Sequence, residues 1–207
     1  HGDSAIDHFM VLNEHAWTGQ TFYTLCMNNL IAGSYDVALI QSQKALDEFT
    51  LAQDTAMMIR AKGRRGIVFH DIGEYDEGIR TLEEAHELFK DYSGKNKDIL
   101  AMIYGITAIN YDDRGDSDIA VEYYKKILAF QDELSTNREV IRTYNNMGNS
   151  LMKLGNLAEA RKYFLLNLKA NEEDEFAYGI ATVKTNLGTV AYKQGDYQTA
   201  EKYLNEA

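Results

Sequence analysis

The chain is 207 residues long and 45% apolar, enough to bury a sizeable core in one domain or a continuous array. Its formal charge of −11 argues against a general role in binding nucleic acid, which draws its affinity from Lys and Arg. No run of about 18 apolar residues is present to span a membrane, and the opening HGDSAIDHF lacks the basic start and apolar stretch of a signal peptide.

Cys26 is the only cysteine, so an internal disulfide and a cysteine metal cluster are both excluded. A lone thiol fits a reducing compartment, and a cytoplasmic location is the expectation. Proline is absent, Ala, Leu, Glu and Lys are frequent, and Val and Thr never alternate in strand-like runs. The composition is that of an all-α protein.

Read in chain order, the first element is AIDHF at Ala5–Phe9, which matches ALDEF at Ala45–Phe49. The chain is therefore expected to begin inside the second helix of an earlier repeat, over residues 1–15. Next come AGSYDVA from Ala32, IGEYDEG from Ile72, RGDSDIA from Arg114, LGNLAEA from Leu154 and QGDYQTA from Gln194. Their glycines, Gly33, Gly73, Gly115, Gly155 and Gly195, stand 40, 42, 40 and 40 residues apart. A fixed interval marks a structural unit used repeatedly.

Each phrase reads as the turn of a helical hairpin. The glycine ends one helix in a left-handed conformation. Ser34, Asp116, Asn156 or Asp196 then caps the next helix, whereas Glu74 is a poor cap, and Asn156 with Glu159 resembles a capping box. Seven residues before the turn stand Cys26, Gly66, Ala108, Gly148 and Gly188, small enough for two helices to approach closely. Five residues after it stand Ala38, Gly78, Ala120, Ala160 and Ala200, and four further on the bulky Leu82, Tyr124, Phe164 and Leu204, with Ser42 the exception. Those spacings share one helical face.

This pattern, clearest in NNMGNSLMKLGNLAEARKYF and TNLGTVAYKQGDYQTAEKYL, resembles the tetratricopeptide repeat over essentially the whole chain. The resemblance implies an all-α, right-handed α-solenoid forming a single array over residues 1–207. Five repeats are expected near 16–53, 54–95, 96–135, 136–175 and 176–207, the last one truncated. Two features depart from the family pattern: the period exceeds the usual 34 residues or so, and the proline that ends the second helix is missing. Long repeats of this kind are similar to those of kinesin light chain, Leu-Gly-Asn-rich G-protein modulators and bacterial peptide-pheromone receptors. The chain accordingly reads as a slice of a longer array, or a fragment of a bacterial-type signalling or scaffold protein. Tyr203 and Leu204 are expected to be partly exposed, inviting a homodimer through the open ends.

No constellation nominates an enzyme. The glycine phrases lack the Gly-Lys-Ser/Thr of a phosphate loop, YDDRGDSD at Tyr111–Asp118 lacks the spacing of a calcium loop, and no His pair has helical zinc spacing. No cofactor or metal is expected. By the family resemblance the first helices line a concave groove. It would present Tyr23, Met27, Arg60, Arg64, Ile67 and His70, then Met102, Ile106 and Ile109. Arg142, Asn145, Asn146, Asn149 and Lys153 follow, then Thr185, Asn186, Thr189, Tyr192 and Lys193. Of these, Arg60, Arg64, Arg142, Asn145, Asn149, Lys153, Asn186, Tyr192 and Lys193 are the expected contacts to a protein or peptide. Amides pair with an extended backbone, cations clamp an acidic side chain or C-terminal carboxylate, and the apolar third repeat supplies an anchor. The alternative for these residues, Arg60 and Arg64 above all, is an ordinary solvated polar face, and for Asn146 it is a structural bond to a neighbouring repeat. The leading expectation is a non-catalytic interaction scaffold, with neither nucleic acid nor membrane as partner. The other is a sensory module controlling an output domain of the diguanylate cyclase, histidine kinase or pheromone-receptor type.

Overall fold

The computed structural model describes the backbone of residues 2–207 and the side chains from residue 10 onward, so the side chains of AIDHF and of His8, and all of His1, lie outside the described residues. The helices are α1 (Gly2–Ile31), α2 (Tyr35–Leu51), α3 (Thr55–Asp71), α4 (Tyr75–Asp91), α5 (Lys97–Arg114), α6 (Ser117–Leu128), α7 (Arg138–Lys153), α8 (Leu157–Glu173), α9 (Ala177–Lys193) and α10 (Tyr197–Asn205). A 3-10 turn, Gln131–Glu133, precedes α7. The chain forms two compact units, divided between Asn110 and Tyr111. Each is a stack of antiparallel helical hairpins in which successive helices pack on one another.

The long period comes from long helices. Helices α2, α3 and α4 have 17 residues each, and three-residue connections join them, so two helices and two connections fill the 40-residue interval. The interval of 42 arises from the longer link between α4 and α5. At every hairpin turn the glycine takes a left-handed conformation, with φ of 71° at Gly33, 82° at Gly73, 111° at Gly115, 76° at Gly155 and 80° at Gly195. The following amide reaches back to close the helix end, as in Ser34 N–H to Asn29 O (2.8 Å) and Asn156 N–H to Leu151 O (2.9 Å). The connections between hairpins repeat this geometry without glycine. Gln53 (φ 55°) and Glu175 (φ 52°) occupy the left-handed position, and the amides of Asp54 and Phe176 bond to Phe49 O and Asn171 O. A side chain there costs about 1–2 kcal/mol.

Two of the four expected caps form. Asn156 accepts from Glu159 N–H and Asp196 from Thr199 N–H. The capping box closes between side chains, Asn156 Nδ2 donating to Glu159 Oε2 (2.8 Å), rather than through the cap backbone. Asp116 makes no cap bond because Arg114 Nε holds its carboxylate at 2.6 Å. Ser34 makes none either, and nothing in the structure explains it; Glu74 makes none, as expected. Helix α1 runs unbroken through the junction expected after residue 15. Forty residues later the equivalent stretch does turn, capped by Asp54, whose carboxylate accepts from Met57 N–H; the counterpart of Asp54 in α1 is Glu14, a poor cap.

The expected small residues let bulky ones in. A Cβ at Gly66 would lie 2.9 Å from Leu82, at Gly148 2.6 Å from the Phe164 ring, and at Gly188 2.9 Å from Leu204. Leu82 and Phe164 are fully buried, while Leu204 remains 50% exposed and Tyr203 is half-buried. Volumes are also matched between neighbouring hairpins. Ala38 shares a cluster with Val68, whereas in the next repeat Gly78 stands against the larger Asn110, whose Oδ1 is buried without a partner.

Two stability measurements follow from this packing. Gly148→Ala should lower the unfolding free energy by about 1–3 kcal/mol in urea melts, with the loss reduced when Phe164→Leu is added. Gly78→Ala should destabilise by a similar amount, about 1–3 kcal/mol. Combining it with Asn110→Val, which restores the Ala38/Val68 pair and removes the orphaned acceptor, should recover that loss.

Candidate functional site

In the first unit the first-helix face is formed by α1, α3 and the part of α5 up to Asn110. Of its two expected arginines, Arg64 is already engaged and Arg60 is not. Arg64 donates from Nη2 to the Tyr23 hydroxyl (2.9 Å) and from Nη1 to Met27 Sδ (3.2 Å), with its guanidinium 4.8 Å from the Tyr23 ring centre. Its Nε is buried without an acceptor. The other α3 cations turn toward the second helices: Lys62 pairs with Glu84 of α4 at 2.5 Å, and Arg65 donates to Leu39 O and Ser42 Oγ of α2, both at 3.2 Å. Arg60, half-buried, has no ion-pair partner among the described residues. The expected apolar anchor is only partly open: Ile106 is buried, Ile109 is half-buried, and the half-buried Met102 packs against Gly63, its Cε 2.8 Å from the place of a Cβ there. A glycine on α3 thus accepts side chains that sequence reading assigned to the groove.

In the second unit the first-helix face belongs to α7 and α9. Asn186 Nδ2 donates to Asn145 Oδ1 (3.1 Å), and Asn145 Nδ2 donates to Asn146 Oδ1 (3.3 Å). Asn145 therefore makes the bond to the neighbouring repeat that was considered for Asn146. Asn146 instead hydrogen-bonds the Tyr124 phenol, whose pKa burial and the nearby Asp112 carboxylate push well above the usual tyrosine range. Lys153 is held by Asp112 Oδ2 (2.8 Å) and Asp113 Oδ1 (3.1 Å). Partial burial lowers its pKa, but the bonds to both aspartates outweigh this and raise it.

The remaining polar groups of this face are open. Arg142 is 59% exposed and, among the described residues, paired only with Glu139 one turn away (2.8 Å). Asn149 is half-buried and has no side-chain hydrogen-bond partner among the described residues. Lys193 is exposed, and the 63% exposed Tyr192 ring lies 5.6 Å from that of Tyr197.

Elsewhere, a groove of about 580 Å³ opens in the first unit between α2 and α4, floored by Leu46, Met58 and Leu88 and rimmed by Lys62, Glu84, Glu87, Lys90 and Asp91. It lies on the second-helix side, which the repeat pattern gave no reason to single out. Cys26 is fully buried, and burial raises its thiol pKa against the opposing pull of Arg64 and Arg65, so it is a poor nucleophile. Among the described residues no group of three or more His, Cys, Asp or Glu is placed to hold a metal ion, and no helix is long and apolar enough to cross a membrane.

Comparison with known proteins places this geometry. No curated protein sequence matches the chain. Among solved structures it resembles BtubC (BKLC) from P. vanneervenii, with a TM-score of 0.81 at 18% identity, over 99% of this chain and 87% of that one. It also resembles a Rap protein complexed with Competence and Sporulation Factor (TM-score 0.77, 18% identity, 94% of this chain and 56% of that one). The apo form of RapI is similar as well (TM-score 0.74, 17% identity, 89% and 51%). The chain thus spans about half the length of the two Rap proteins. At these identities the likeness is one of fold. The tetratricopeptide-repeat family model matches residues 57–133 and 139–207, well over half the sequence. With its glycine-closed hairpins, the chain belongs to the tetratricopeptide-repeat family, an all-α solenoid fold.

Proposed function

We propose that this chain is a non-catalytic interaction scaffold that holds a peptide or partner segment against the first-helix face of α7 and α9. The observation that carries this reading is Asn149: a half-buried amide, donor and acceptor both, with no side-chain hydrogen-bond partner among the described residues. It lies one turn beyond Asn145 and two beyond Arg142, on one side of α7. Arg142, Tyr192 and Lys193 supply the direct contacts around it, and Arg60 offers a cation in the first unit. Asn145, Asn186, Lys153 and Arg64, already bonded within their units, hold the surface in shape and pass to the ligand only by exchanging partners.

The ligand chemistry that suits this set is an acidic segment or a C-terminal carboxylate. Cations attract it, and the amide pairs with its backbone. Family membership supports protein or peptide partners, and the Rap structure with Competence and Sporulation Factor is of a protein with a similar fold in complex. The half-length match to the Rap proteins also suits the second reading, a sensory module that controls an attached output domain. The 50% exposure of Leu204 leaves room for self-association at the last hairpin.

An Arg142→Ala/Asn149→Ala variant should keep wild-type helicity and melting, since neither side chain supports the packing. Pull-downs compared by mass spectrometry should then retain acidic or carboxylate-terminated ligands on wild type and lose them on the variant. Re-measured with a synthetic ligand peptide, binding should weaken as salt rises, because exposed charges are screened within about 8–10 Å at physiological ionic strength. Equal retention by both proteins would remove the binding role from this face.

A further inference from the structure

One joint in the second unit departs from the others, and the departure is visible when the second helices are aligned on their turn glycines. Twelve and sixteen residues after the turn, α2 carries Ala45 and Phe49, and α4 carries Ala85 and Phe89, all buried. Phe49 packs in a cluster with Ala45, Ala61 and Met57, and Phe89 in one with Ile59, Ile99 and Ile103. The aromatic ring thus meets an apolar side chain, Met57 or Ile99, on the next first helix. In α8 the same two positions are Asn167 and Asn171, 2% and 3% exposed. Their counterpart on α9, in place of Met57 and Ile99, is Gly179. The apolar contact is replaced by a polar one, in which the Asn171 amide oxygen lies against Gly179 where a Cβ would stand.

The hydrogen bonds of this pair face away from α9. Asn167 Nδ2 donates to Ile141 O on α7 (2.5 Å), and Asn171 Nδ2 donates to Asn167 O (2.9 Å) and Oδ1 (2.5 Å) within α8. Among the described residues neither side chain hydrogen-bonds α9. The aromatic side chains nearest the joint stay largely in solvent: Phe176, whose Cδ1 reaches to 2.6 Å from the place of a Cβ on Gly179, is 53% and Tyr178 76% exposed, and their rings pack on each other at 6.2 Å. Helix α9 is itself weakened over this stretch. Gly179 costs helix stability, and the hydroxyls of Thr182 and Thr185 bond to Tyr178 O and Ala181 O, a habit that bends and slightly destabilises helices and that Thr189 repeats further along.

We propose that the first ten residues of α9 (177–186) form a built-in hinge. They open from the end of α8 while residues 187–193 stay packed on α10, and the opening separates Asn186 from Asn145, presenting both amides to solvent. The device stands on the packing of α8 and α9 and holds whether or not the α7–α9 face binds a ligand.

Native-state hydrogen exchange on the whole chain tests it. Amides of residues 182–186 should exchange roughly tenfold or more faster than those of residues 60–64, their equivalents in α3. They should also exchange faster than amides of residues 187–193. Fraying from the chain's C-terminal end gives the opposite order, because α10 packs along those residues, so faster exchange there than at 182–186 would overturn the proposal. So would equal protection of residues 182–186 and 60–64. In an Asn167→Ala/Asn171→Phe variant, which restores the pattern of α2 and α4, protection at 182–186 should rise to the α3 level. A folded variant with unchanged exchange there would also overturn it; if the variant does not fold, the wild-type comparison decides.

Discussion

The structure depends on one steric fit: a residue with almost no side chain on the first helix of a hairpin faces a bulky one on the second. At Gly66 and Leu82, Gly148 and Phe164, and Gly188 and Leu204, even a single added carbon would lie under 3 Å from its neighbour. That approach brings two helices close enough to exclude water along their length, which is where a helical hairpin gains its stability. The turn glycine makes the fit possible by reversing the chain in three residues at little conformational cost. Each hairpin then exposes an apolar stripe that only another hairpin can cover, and so the unit repeats.

This fit was legible in the sequence because it demands residue types, not merely polarity. Only glycine takes φ near 75° without strain, so Gly33, Gly73, Gly115, Gly155 and Gly195 all announce their turns. The connections at Gln53 and Glu175 use the same backbone conformation on residues that do not advertise it, and are invisible without the structure. Helix ends were half legible. Asn156 and Asp196 cap as their types suggest, but Asp116 is diverted by Arg114, a competition that sequence spacing does not rank.

The candidate site was less legible than the fold, for a physical reason. Sequence phase places a side chain on a helix face, but its availability depends on a partner some 40 residues away. Arg64 is committed to Tyr23 and Met27, Lys153 to Asp112 and Asp113, and Asn145 to Asn186. Charge and amide content alone therefore overstated the open surface, while Arg142 and Asn149 remained. The polar joint at Asn167 and Asn171 lay in the same blind spot. Two asparagines on a helix read as ordinary surface until burial shows them in core positions.

The function argued here requires that a partner meet the first-helix face of the second unit. Site-specific photocrosslinking tests this most directly, with p-benzoylphenylalanine placed at Asn149 on α7 and, in a separate protein, at Lys169 on the exposed side of α8. The account predicts crosslinks to partner from position 149 and none from position 169. Crosslinks from 169 alone would put the partner on the second-helix side and contradict the account.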